Sequence, residues 1–141
     1  MALMEAALKR GHRVSMCAPS GQMSAASHRI TLSDPLYVKD YLLNRENAEG
    51  FAITGTPADC VRLAFLGGLV ADPVDGVISG INNGYNAGLA TYYSGTVGAA
   101  REGALLGYPA IAASIDYKAD PAHVQDAAEL VLAVAEKYCQ A

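Results

Sequence analysis

Residues 55–59, Gly-Thr-Pro-Ala-Asp, follow the short apolar run Phe51-Ala52-Ile53-Thr54 and open a helix. Thr56 is placed to be the N-cap, Pro57 stands at N1, where its missing N–H costs nothing, and Asp59 at N3 can reach back to close a capping box. A strand that runs straight into a helix start is half of a βα unit, and the pattern recurs along the chain. Residues 2–10 read as a helix closed by Gly11, with Lys9 and Arg10 in the last turn, where the dipole favours cations. Residues 13–18 then read as a strand stopped by Pro19. The other expected elements are a helix from Pro57 to about Leu66, a strand at 74–79, a helix at about 95–106 closed by Gly107, a buried strand at 109–115 and a last helix from about Pro121. On that last helix Val124, Ala127, Ala128, Val131, Ala135 and Tyr138 form one stripe. Residues 29–38 alternate as extended structure does, and residues 39–50 read as charged and irregular. Strands alternating with helices predict an α/β fold with mostly parallel strands.

The 141 residues suit one domain, and 52 % hydrophobic against 17 % charged content suits a real core. A net charge of −4 argues against a nucleic-acid surface. Residues 1–70 carry a net +1 and residues 71–141 a net −5, so a phosphorylated ligand would need local donors rather than a global field. Cys17, Cys60 and Cys139 match no zinc spacing, and their odd number argues against a disulfide framework. No apolar stretch is long enough to cross a membrane, and residues 1–12 show no signal-peptide cleavage pattern. These features predict a cytoplasmic protein in a reducing compartment.

Ligands of parallel sheets bind beyond the carboxyl ends of the strands. Two loops fall there. The first, residues 80–94, holds Asn82, Asn83 and Asn86 among glycines and delivers Ser94-Gly95-Thr96 to a helix start. A phosphate at such a start meets N–H donors, hydroxyls and the positive end of the helix dipole. The dipole contributes only about 0.3–1 kcal/mol at an exposed site, so hydrogen bonds must do most of the holding. The same residues would equally serve a plain N-cap and its turns. The second loop, residues 19–28, offers Ser20, Gln22, Ser24, Ser27 and His28. Its hydroxyls suit a hard ion such as Mg²⁺ or Mn²⁺ only with carboxylates beside them; otherwise it is a solvated turn. His28 is either a proton donor or a structural residue. Walker, G-x-G-x-x-G and G-x-S-x-G patterns are all missing. Asp72, Asp75, Asp116, Asp120 and Asp126 are not obvious metal ligands.

Four segments in this order resemble the SurE family of metal-dependent 5′/3′-nucleotidases, also described as acid phosphatases. They are Ala18-Pro19 through Ser24-Ala25-Ala26-Ser27-His28-Arg29-Ile30-Thr31; Gly55 through Val61; Ser79-Gly80-Ile81-Asn82-Asn83-Gly84-Tyr85-Asn86; and Tyr93-Ser94-Gly95-Thr96-Val97-Gly98-Ala99-Ala100 with Glu102-Gly103. The resemblance implies a three-layer α/β/α sandwich, Rossmann-like, and one incomplete domain over residues 1–141. It implies one divalent metal per subunit, Mg²⁺ or Mn²⁺, with Ser24 and Asn82 as ligands. The substrate phosphate would meet Asn86, Ser94, Gly95 and Thr96. The implied substrate is a nucleoside monophosphate, with no duplex nucleic acid or membrane as partner, and the implied assembly is a homo-oligomer, dimer or tetramer.

The family opens with a strand ending in Asn-Asp-Asp-Gly, whose aspartates complete the metal site. This sequence begins inside the following helix and contains no Asp-Asp pair, which leaves no catalytic residue to assign. The expectation is a fragment or a mis-set start, with the first strand lacking from the middle of the sheet. The alternative function is a non-catalytic remnant that binds phosphate or nucleotide, or only assembles with other subunits.

Overall fold

The capping box at Thr56 forms as the sequence predicts. The Thr56 hydroxyl accepts the Asp59 N–H at 3.1 Å, and the Asp59 carboxylate accepts the Thr56 N–H at 2.9 Å. The structure, a computed structural model, describes residues 1–71 and 73–139; Asp72 lies outside the described residues. In chain order the elements are α1 (Ala2–Lys9), β1 (Val14–Pro19), β2 (Val38–Asp40), β3 (Ala48–Ile53), α2 (Pro57–Phe65), β4 (Val77–Asn83), α3 (Ala90–Tyr93), α4 (Gly95–Leu105), β5 (Ala110–Ile115) and α5 (Pro121–Cys139).

Among the described residues the strands fall into two sheets, ordered β1-β3-β2 and β4-β5. β1 runs parallel to β3 and β4 parallel to β5, while β2 is an antiparallel edge on β3. The sequence predicts a mostly parallel sheet with a strand lacking from its middle, and the strand layer is split between β1 and β4, which do not pair. Helices bridge the split. Ala6 and Ala7 of α1 and Ala128 and Leu132 of α5 form a buried cluster, and Val14 of β1 and Ile78 and Ile81 of β4 pack on it together. Helices α2 and α4 pack on each other, α2 also on β1 and α4 on β4 and β5. The result is an α/β/α arrangement whose middle layer is shared by both sheets.

Three expectations need correction. Residues 39–50 are irregular only in their middle: residues 39–40 belong to β2 and 48–50 to β3, and the Tyr41 N–H continues their pairing onto the Gly50 carbonyl at 2.8 Å. Asn44 and Asn47, both at positive φ, turn the chain between them, and those polar turn residues hide the strands in the sequence. Of residues 29–38, only Val38 enters a strand. On α5, Leu132 is buried and Tyr138 is exposed. α5 meets α1 through Ala128 and Leu132, so its buried face is turned by one position from the predicted stripe at Val131. Cys17, Cys60 and Cys139 are all free thiols, and among the described residues no helix is long and apolar enough to cross a membrane.

Candidate functional site

Strand β4 continues into the glycine- and asparagine-rich loop and bends there. Ser79 pairs with Ala112 and Asn82 with Ser114, so Gly80 and Ile81 together face Ala113. Gly80 sits at φ +129°, and a Cβ there would lie 2.4 Å from the Ala113 carbonyl oxygen, so only glycine fits this bulge. A bulge re-aims the side chains that follow it. The next residue, half-buried Asn82, donates from Nδ2 to the Gly84 carbonyl at 2.8 Å and accepts the Thr96 hydroxyl at 3.4 Å. Asn82 and Thr96, expected to serve metal and phosphate respectively, thus meet directly.

Helix α4 begins where the sequence places it. Ser94 is extended, buried, and caps the helix through the Val97 N–H at 3.2 Å. The hydroxyl proton and the N–H groups of Gly95 and Thr96 are donors at the positive end of the helix. Gly95 also has a packing role: a Cβ there would approach the Pro57 ring at 2.9 Å, so the starts of α2 and α4 touch through it. Asn86 donates from Nδ2 to the Ser114 hydroxyl at 2.7 Å, which places it at the carboxyl end of β5.

The loop 20–28 is anchored beside α4. The Ser27 N–H and hydroxyl donate to the Tyr93 and Tyr92 carbonyls at 2.9 and 2.6 Å. Gly98 lets the loop lie on the helix, because a Cβ there would come within 2.3 Å of the Ser27 carbonyl oxygen. Ser24 is exposed, and its side-chain contact is with Gln22 Nε2 at 3.2 Å. No hydrogen bond between described residues joins Ser24 to Asn82.

His28 has a structural role here. Its Nε2 lies 2.7 Å from a carboxylate oxygen of Glu102, whose other oxygen accepts from Arg62 at 2.8 Å. Glu102 is only 4 % exposed. Burial alone would push its carboxyl up, but the bonds from His28 and Arg62 outweigh that and hold it below the ordinary value. The three residues tie the loop, α2 and α4 together. The sequence marked Glu102 only as part of a family-like segment and did not mark Arg62; the available signal for their role was a glutamate on the small-residue face of a helix.

Asp59 does more than cap. Its carboxylate also accepts the Thr31 N–H and hydroxyl at 2.8 and 2.7 Å. Burial raises its pKa, and the Thr31 and Thr56 donors more than reverse that, so it too is held low.

Beyond Asn82, the Tyr85 hydroxyl donates to Asp116 at 3.2 Å, and the Asp116 charge pushes the phenol pKa up.

As a metal site the described residues are poor. Ser24 and Asn82 supply two neutral oxygens, and no group of three or more His, Cys, Asp or Glu placed to hold a metal occurs among the described residues.

Comparison with known proteins follows the same outline. A family model described as survival protein SurE matches residues 1–141. The chain is 51 % identical over 114 residues to the 5′-nucleotidase SurE of Desulfitobacterium hafniense, covering 77 % of this chain and 44 % of that protein. It is 49 % identical over 114 residues to the 5′-nucleotidase SurE of Solidesulfovibrio magneticus, covering 81 % and 44 %. The chain thus spans under half the length of the curated relatives it matches. A crystal structure of SurE protein from Aquifex aeolicus superposes with a TM-score of 0.77 at 34 % identity, covering 99 % of this chain and 54 % of that one.

Proposed function

Because this chain belongs to the survival protein SurE family, we propose that the protein it represents is a metal-assisted 5′/3′-nucleotidase, which hydrolyses nucleoside monophosphates to nucleoside and phosphate. The observation that carries this reading is the convergence of Ser94, Gly95 and Thr96 at the start of α4 with Asn82, which Thr96 touches. Phosphoryl transfer needs positioning and charge stabilisation more than covalent help from the protein. The Ser94 and Thr96 hydroxyls, the first N–H groups of α4 and the Asn86 amide are donors suited to phosphoryl oxygens. The curated relatives' name, 5′-nucleotidase, supports the substrate class.

A divalent ion, Mg²⁺ or Mn²⁺, would polarise the phosphoryl group and orient water in the whole protein. Ser24 and Asn82 do not by themselves fit such an ion, which normally takes at least one carboxylate. That misfit favours a second reading for residues 1–141 taken alone: a phosphate- or nucleotide-binding unit without turnover. Three free cysteines support a reducing compartment, and we place the protein in the cytoplasm. For the whole protein we propose a homo-oligomer, dimer or tetramer.

The test is release of phosphate from a nucleoside 5′-monophosphate with Mg²⁺ or Mn²⁺. It is run on residues 1–141 alone and with a strand ending in Asn-Asp-Asp-Gly joined ahead of them. Metal-dependent release is expected in the joined protein, falling about a hundredfold in Ser94→Ala, the scale for losing one transition-state donor. No release from the joined protein, or full activity in Ser94→Ala, contradicts the reading.

A further inference from the structure

Three successive residues after β4 are tied to the end of β5. The Gly84 N–H donates to the Ile115 carbonyl at 2.8 Å, the Tyr85 hydroxyl to Asp116 at 3.2 Å, and the Asn86 amide to the Ser114 hydroxyl at 2.7 Å. Asp116 is itself fixed, since its other carboxylate oxygen accepts the Lys118 N–H at 2.9 Å. Yet Tyr85 is 66 % exposed. Its phenol is held at both ends, by the backbone and by Asp116, while its surface faces water. Exposed Tyr92 and Tyr93 lie nearby in sequence, but among the described residues their side chains hold no hydrogen bond. An aromatic ring that is ordered before anything binds loses little freedom on binding. It also stands next to Asn86, one of the donors assigned to the phosphate.

We propose that Tyr85 is a stacking platform for the base of a nucleoside monophosphate whose phosphate lies at Asn86 and the start of α4. The proposal rests on the phosphate-site reading above and adds the residue that would distinguish a nucleotide from a simple sugar phosphate. Every nucleobase has a π-face, so one tyrosine favours nucleotides as a class without choosing among bases. Asp116 is a positioning residue: it orients the ring and touches no substrate.

Two ligands separate the parts. Adenosine 5′-monophosphate and ribose 5-phosphate are titrated calorimetrically into residues 1–141, with Tyr85→Ala, Tyr85→Phe and Ser94→Ala as variants. Base stacking predicts that Tyr85→Ala weakens adenosine monophosphate about five- to tenfold, while ribose 5-phosphate changes less than about twofold. Tyr85→Phe keeps the ring but loses its bond to Asp116, and should restore only part of the nucleotide affinity. Ser94→Ala should weaken both ligands together. Equal losses for both ligands in Tyr85→Ala, or none for either, overturn the proposal; if Ser94→Ala still weakens both, the phosphate site stands without it. Failure of both ligands to bind the unaltered chain overturns the stacking platform and the phosphate site together.

Discussion

Asp59 shows how one carboxylate can serve a helix start and a loop at once. Its three donors are the Thr31 N–H and hydroxyl and the Thr56 N–H, and it is 2 % exposed. Asp59→Asn keeps the shape but replaces charged acceptors with an amide, and at pH 7 it should cost about 1–3 kcal/mol. The pH dependence follows from the lowered pKa. A carboxyl held below its unfolded value of about 3.9 contributes fully above that pH and loses its contribution as pH falls through the folded value. The gap in stability between the native chain and Asp59→Asn should therefore be constant from neutral pH to about pH 5, then shrink below about pH 4. Urea unfolding of both proteins at pH 7, 4 and 3 checks this. A gap that widens on acidification would contradict it. The capping box was legible in the sequence because it is local. Thr31, twenty-eight residues away, was not, because no periodicity marks a loop that folds back on a helix cap.

At the level of elements, α4 organises the site, with its start next to the Asn82 bulge and its side against the loop 20–28. Gly98 sets that second contact. Gly98→Ala places a Cβ within 2.3 Å of the Ser27 backbone oxygen, where no flexible side chain can yield. Overpacking of this kind costs about 1–3 kcal/mol, and the loop is the part free to move. The expected outcome is a lower melting temperature, with hydrogen exchange at the Ser27 N–H speeding up more than exchange in α5. Uniform exchange, or an unchanged melting temperature, would contradict the contact. Ser94 as N-cap and the bounds of α4 were readable from residue types. The bulge was not: Ser79-Gly80-Ile81-Asn82 looks like a strand ending in a loop, and the extra residue shows only once β5 supplies the register. His28 was readable as either acid or structural residue, and its pairing with Glu102 shows only once the loop lies on α4.

For the whole molecule, alternating strand and helix signals gave the layers, while pairing between distant strands depended on contacts that no local pattern carries. The split between β1 and β4 falls where a strand is expected to be lacking from the middle of the sheet, and helices α1 and α5 hold both sides together with no hydrogen bond between the two sheets among the described residues. The residues proposed to hold the phosphate, Asn86, Ser94, Gly95 and Thr96, belong to the loop after β4, which bonds to β5, and to the start of α4, all on one side of that split. Nucleotide binding should accordingly be separable from metal-dependent turnover. The direct measurement is an amide NMR titration of residues 1–141 with adenosine 5′-monophosphate in the presence of a chelator. The Gly95, Thr96 and Asn86 N–H resonances are predicted to shift first and most, saturating together. Saturating shifts elsewhere, with those three unmoved, would contradict the claim that the start of α4 holds the phosphate.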